Sequence, residues 1–178
     1  LNNFEITNNN PKVGIAPFAR HIGKVYPLDL MQKIISYLSQ KNQIFLFGFG
    51  DELKILEKWK SSYKNVDCPS SHSNFKQEIE LISNLDLMIS MDSANGHIAS
   101  IYNVPVITIW GLTHPFTGFS TFNSIEENQF TVDRTKFPLI PTSIYGNKKI
   151  KGYEDAMRSI DLNGLLFRAE QILNQTSS

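Results

Sequence analysis

The chain has 178 residues, 41% apolar and 19% charged, the composition of one globular domain with a sizeable core rather than of a disordered segment. Lys plus Arg number 17 and Asp plus Glu number 17, so no global field exists to hold nucleic acid or anionic lipid, and any recognition of a polyanion is local. No apolar run approaches the roughly 20 residues of a membrane-spanning helix.

In chain order, KVGIAPF (12–18) reads as a short buried strand ending at Pro17. The loop ARHIGKVYP follows, and Pro27 opens a helix, since proline is tolerated in the first turn. Leu30, Met31, Ile34, Ile35 and Leu38 recur at helical spacing. QIFLF (43–47) is a second buried strand, GFGDE turns the chain, and Leu53, Leu56 and Trp59 mark a second helix. Residues 66–68 form a short third strand, and Phe75, Ile79, Ile82 and Leu85 mark a third helix. LMISM (87–91) is a fourth strand, DSANGH opens a fourth helix, and VPVITIW (104–110) is a fifth strand. Turn formers and aromatics then dominate, with one further strand near 130–132. A last helix starts at Asp161, which caps it, and carries the stripe Leu162, Leu165, Leu166, Ala169, Ile172 and Leu173. Strand and helix alternate from residue 12 to 110, and the strands are apolar on both faces. That pattern predicts an α/β fold: a parallel sheet flanked by helices, with right-handed crossovers.

Cys68 is the single cysteine, so a disulfide within the chain is impossible; a cysteine-type zinc site is disfavoured, and a reducing compartment fits. The N-terminal LNNFEITNNNPK lacks the basic and apolar regions of a secretory signal. The chain starts at Leu1 with an Asn-rich leader (1–11), which predicts a piece of a larger protein whose single domain here is 12–178.

In open parallel sheets ligands bind outside the carboxyl ends of the strands. That rule selects loops 17–26, 48–52, 68–74 and 91–97, and a fifth after Gly111. MISMDSANGHIAS offers most. Asp92 ends a buried strand and is placed to cap the helix behind it, whose N-terminus presents free N–H groups and partial positive charge. Ser93, Ala94 and Gly96 are small enough for an anion to reach the backbone, and Ser93 and His97 share a face four residues apart. Ala94, Ile98 and Ile101 are spaced to face the core. This describes a site for a phosphate-sized anion. Spacing alone also allows Asp92 to be only a cap and His97 a satisfied surface histidine.

Lys24, in a turn before a helix, is a suitable point charge for a diphosphate, or simply a solvated lysine. FGFGDE places Gly48, Gly50, Asp51 and Glu52 after the second strand. An acid there binds ribose hydroxyls, or else only favours a helix start; the stretch is not the dinucleotide G-x-G-x-x-G. IWGLTHPFTGF places Gly111, Thr113, His114, Phe116, Gly118 and Phe119 after the fifth strand. Polar groups beside aromatics suit a sugar or a base, or a surface loop whose aromatics pack beneath it.

Together these residues resemble glycosyltransferase family 9, the heptosyltransferases. APFARHIGKVYP is similar to the family's K-x-W-P segment, with Tyr26 in place of Trp. MDSANGHIASIYNVPVITIWGLTHP is similar to its D-[ST]-[GA]-x-x-H-[LI]-A stretch, followed by a proline-containing strand and G-x-[ST]-x-P. SIYGNK and the turn-rich tail add to the likeness, which runs from residue 12 to about 160. Where many relatives carry several cysteines in the tail, this chain has Leu139, Thr142 and Lys149.

The resemblance implies an inverting, metal-independent transfer of heptose from ADP-heptose to the lipopolysaccharide inner core. It implies two Rossmann-like domains facing a cleft, the GT-B arrangement, with this chain as the C-terminal, donor-binding half. By position, Lys24 would contact the phosphates, Glu52 the adenosine ribose and Asp92 the heptose hydroxyls. Ser93, Ala94, Gly96 and His97 would hold the diphosphate. Lys24 and His97 would stabilise the leaving group, with no catalytic residue in this half, no cofactor and no metal ligand. The acceptor and the general base would belong to an N-terminal domain absent from this chain. The parent would be cytoplasmic, or peripheral at the inner membrane. A non-catalytic nucleotide- or sugar-binding domain is the main alternative, and a nucleotide-dependent oxidoreductase a third.

Overall fold

The computed structural model describes residues 10–176; most of the leader at 1–11 therefore lies outside the described residues. The elements are β1 (Lys12–Ala16), α1 (Leu28–Leu38), β2 (Gln43–Leu46), α2 (Glu52–Ser62), β3 (Val66–Asp67), α3 (Phe75–Ile82), β4 (Leu87–Met91), α4 (Ala94–Ile101), β5 (Val106–Ile109), β6 (Gln129–Phe130) and α5 (Leu162–Thr176). All six strands join one sheet in the order β3-β2-β1-β4-β5-β6, and every neighbouring pair is parallel. This is the Rossmann-like α/β fold that the alternating pattern predicts. Ends shift by a residue or two from the sequence expectations. The sixth strand pairs through Gln129 and Phe130 rather than 130–132.

Two apolar layers explain why the strands read as unbroken apolar runs. On one face Val13, Ile15, Ile44, Leu46, Leu87, Ile89, Met91, Ile107 and Ile109 pack with buried residues of α1, α2 and α5. On the other, Phe45, Phe47, Met88 and Val106 pack with Leu81, Ile82 and Ala99 of α3 and α4. Side chains of the central strands are thus covered whichever way they point, as a doubly wound sheet requires.

Local chemistry sets the helix starts. Asn74 Oδ1 accepts from the Gln77 N–H at 3.1 Å, and Gln77 Oε1 accepts from the Asn74 N–H at 2.9 Å, closing a capping box on α3. Asp161 Oδ1 accepts from the Gly164 N–H at 3.0 Å, capping α5 as its sequence suggests.

Two helices depart from expectation, α3 at Phe75 alone and α4 along its face. In α3 the buried residues are Leu81 and Ile82; Phe75 is exposed, and Leu85 is buried but lies beyond the helix end. In α4 the buried residues are Gly96, Ala99 and Ser100, whereas Ala94 and Ile101 are exposed and Ile98 is half-buried. The cause in α4 is Gly96. A side chain there would collide with the Ser90 hydroxyl of β4, so the helix lies with its smallest residues against the sheet. A stripe chosen by hydrophobicity overlooks a face selected for close approach.

Candidate functional site

The strand order reverses between β1 and β4: chain connections from β1 run toward β2 and β3, and those from β4 toward β5 and β6. At such a switch point the loops leaving adjacent strands diverge and open a crevice at the carboxyl edge. The loops bordering it are the one after β1, which carries Lys24, and the one after β4, which carries Asp92.

These two residues meet. Lys24 Nζ donates to Asp92 Oδ2 at 2.5 Å, across 68 residues of sequence, and the side chains are only 11% and 5% exposed. Asp92 is therefore not the cap of α4; Ser93 holds that position, with extended backbone and no side-chain cap bond. The Asp92 carboxylate turns to the cation across the crevice, because a buried carboxylate gains more from a charge partner than from a single amide. The first-turn N–H groups of α4 are left without a capping side chain. The Ser93 hydroxyl oxygen beside them is buried and has no partner, as does the Thr113 hydroxyl in the loop after β5. Buried hydroxyls normally find partners. Ser93 adjoins the free amides at the positive end of the α4 dipole, and Thr113 lies by Gly146 at the lysine stem.

Ala94 occupies the first exposed turn of α4, and the backbone of Gly96 lies one residue pair further along. His97, one turn from Ser93 on the same face, is half-buried.

The Lys24 side chain is seated by three glycines. A Cβ on Gly23 would strike the carbonyl of Gly146, and one on Gly111 would strike the carbonyl of Gly23. A Cβ on Gly146, which has φ +62°, would sit 2.8 Å from Thr113 Cγ2 and 3.3 Å from Lys24 Cγ. Hydrogen bonds lace the same loops: Leu112 N–H donates to the Gly23 carbonyl at 2.7 Å, and Thr142 N–H to the Leu112 carbonyl at 2.9 Å. The tail loop 142–147 is thereby pressed against the lysine stem. Beyond it, the Lys24 ammonium lies 5.7 Å from the centroid of the Phe119 ring, whose own neighbour is Tyr145 at 6.1 Å.

Glu52 is the first residue of α2, beyond the turn that follows β2. Its Oε2 accepts from the Phe49 N–H at 3.0 Å and fixes the turn before α2. The tip of the Glu52 side chain also crowds Gly48, where a Cβ would come within 3.1 Å of Oε2. Asp51 is solvated, paired with Lys54 at 2.9 Å with both side chains mostly exposed. His114 is buried and occupied: its Nδ1 accepts from the Phe116 N–H at 3.2 Å. Burial first, and then the nearby Arg134 charge, hold the His114 imidazole below the ordinary histidine value.

The sequence points to Lys24, Asp92 and Ser93, but nothing in it pairs Lys24 with Asp92. Tyr145 enters the sequence reading only within SIYGNK, with no role, and the mutual packing of Gly23, Gly111 and Gly146 is not foreseen. Their only signal is glycine at turns in three separate loops.

A cleft of about 640 Å³ opens on the other side of the loop after β1, lined by Gly23 and Val25 but by none of the site residues predicted from sequence. Its walls are mainly apolar, and none of its lining residues belongs to α4. Among the described residues no group of three or more His, Cys, Asp or Glu is arranged to hold a metal ion, and no helix is long and apolar enough to cross a membrane.

The family model for glycosyltransferase family 9 (heptosyltransferase) matches residues 2–151. Lipopolysaccharide heptosyltransferase 3 of Escherichia coli (strain K12) is 32% identical over 120 residues, covering 64% of this chain and 35% of that protein. Among solved structures, E. coli ADP-heptose LPS heptosyltransferase II superposes with a TM-score of 0.71 at 16% identity, covering 99% of this chain and 50% of that one. E. coli heptosyltransferase WaaC, solved with ADP, superposes with a TM-score of 0.65 at 16% identity, covering 93% of this chain and 45% of that one. The chain thus spans about half or less of the length of these relatives.

Proposed function

Because the chain belongs to glycosyltransferase family 9, the heptosyltransferases, we propose that it is the donor-binding, C-terminal half of a GT-B enzyme. That enzyme transfers heptose from ADP-heptose to the lipopolysaccharide inner core, inverting the anomeric centre without a metal. The observation that carries the reading is the buried Lys24–Asp92 pair at the switch point, beside the uncapped start of α4. The naming of ADP follows that of the relatives, one of which was solved with it.

In this reading the diphosphate lies on the first-turn N–H groups of α4, close to the Ser93 hydroxyl; exposed Ala94 gives it access to the backbone, and Gly96 seats that turn against β4. Lys24 supplies a compact positive charge. Asp92 accepts hydroxyl groups of the sugar and keeps Lys24 aimed at the crevice. Glu52 lies toward the ribose. As the acceptor oxygen bonds to the anomeric carbon on one face, the bond to the diphosphate oxygen breaks on the other. The diphosphate leaves with one more negative charge. Lys24, the helix N-terminus and His97 stabilise that charge where it develops, which is the work a metal does elsewhere. The proton of the acceptor hydroxyl passes to a base in the N-terminal half, which also binds the lipopolysaccharide acceptor. We place this reaction on the cytoplasmic side, at the inner-membrane surface. The chain alone therefore binds the donor without useful turnover.

Isothermal titration tests the proposal. ADP and ADP-heptose bind the wild-type chain, and binding is lost in Lys24→Ala and Asp92→Ala while circular dichroism stays native. Equal binding by all three proteins refutes it.

A further inference from the structure

We infer that Phe119 and Tyr145 form the wall against which the transferred sugar packs, and so set which sugar the site accepts. The inference rests on the donor site proposed above. The sheet fixes the direction in which the donor runs. In the order β2-β1-β4-β5, Glu52 follows β2, Lys24 follows β1, Asp92 and α4 follow β4, and Phe119 lies in the loop after β5. A nucleotide with its ribose at Glu52 and its diphosphate at Lys24 and α4 presents its sugar toward the β5 side.

What meets it there is aromatic. Phe119 is 37% exposed and Tyr145 57%, with ring centroids 6.1 Å apart and planes inclined by 42°. The Lys24 ammonium, 5.7 Å from the Phe119 centroid, fixes this wall beside the charge that holds the diphosphate. Rigid rings carry much contact area for little ordering entropy, and the C–H face of a pyranose is the apolar surface they suit. Neither ring is needed to fill the core, since neither belongs to the apolar layers on either side of the sheet. Tyr145 is held from behind, because its neighbour Gly146 is wedged against Thr113 and the Lys24 stem. The tail loop thus couples sugar contact to lysine position.

The test is the ratio of dissociation constants for ADP-heptose and ADP, measured by titration on the full chain. Tyr145→Ala and Phe119→Ala raise that ratio about tenfold, the worth of one buried ring face, and Phe119→Tyr restores it. ADP binding by the variants reports an intact fold. A ratio unchanged in both alanine variants overturns the wall, since a role limited to holding Lys24 weakens both ligands equally. Failure of the wild type to bind ADP overturns the donor site itself, and the wall with it.

Discussion

Replacing Asp92 by Ala removes one partner from an ion pair whose side chains are 5% and 11% exposed. Breaking a fully buried pair costs about 3–5 kcal/mol, because the remaining charge is left without compensation. Lys24 keeps a little solvent access and a ring face at 5.7 Å, so the cost here is about 2–3 kcal/mol. The reverse change, Lys24→Met, costs less. It leaves Asp92 next to the start of α4, whose dipole favours a negative charge by about 0.3–1 kcal/mol, whereas Asp92→Ala leaves a cation there. The double variant costs about 2 kcal/mol less than the sum of the two, since it leaves no lone charge. Urea unfolding at low salt, with midpoint and slope fitted separately, measures all four proteins. Additivity within about 0.5 kcal/mol, or a larger loss in Lys24→Met than in Asp92→Ala, refutes the reasoning.

Gly23→Ala drives a methyl group into the Gly146 carbonyl, so it lowers the melting temperature and speeds proteolysis within 142–147, read by limited digestion and mass spectrometry. Ile89→Ala, at a fully buried site on the central strand β4, costs about 2–5 kcal/mol in urea unfolding. Burial raises the Glu78 carboxyl above its ordinary value, against a lowering hydrogen bond from Ser70. The folded state then holds its proton more tightly than the unfolded state, so the resulting stability is present below the unfolded value and lost as pH rises through the folded one. Glu78→Gln therefore raises the melting temperature at pH 7.5 relative to wild type and leaves it unchanged at pH 3.5; a pH-independent difference in calorimetry contradicts this.

The sheet's composition was legible because parallel strands covered on both sides must be apolar on both faces, and β1, β2, β4 and β5 all are. Asp161 and Gly48–Glu52 announced their turns through residue types that suit caps and turns. The fate of Asp92 was not legible: a carboxylate at a strand end fits a helix cap as well as an ion pair, and only the neighbour across the crevice decides. His114 is open from sequence between a sugar- or base-binding group and part of a packed surface loop; its Nδ1 accepts from the Phe116 amide. The α4 face was misjudged because hydrophobicity says nothing about how closely two backbones approach at Gly96.

By itself the sequence determined the alternation of strand and helix, the small residues opening α4, and the charged types available at the carboxyl edge. Those are local properties, set by periodicity and by what each residue type does at a helix start. Only the tertiary structure decided the strand order, and with it the switch point that places Lys24 against Asp92. It also set the glycine contacts that seat the lysine and the aromatic pair beside it. Such contacts join residues up to 123 positions apart, Gly23 to Gly146, and depend on sheet order and close backbone packing, which no local pattern encodes.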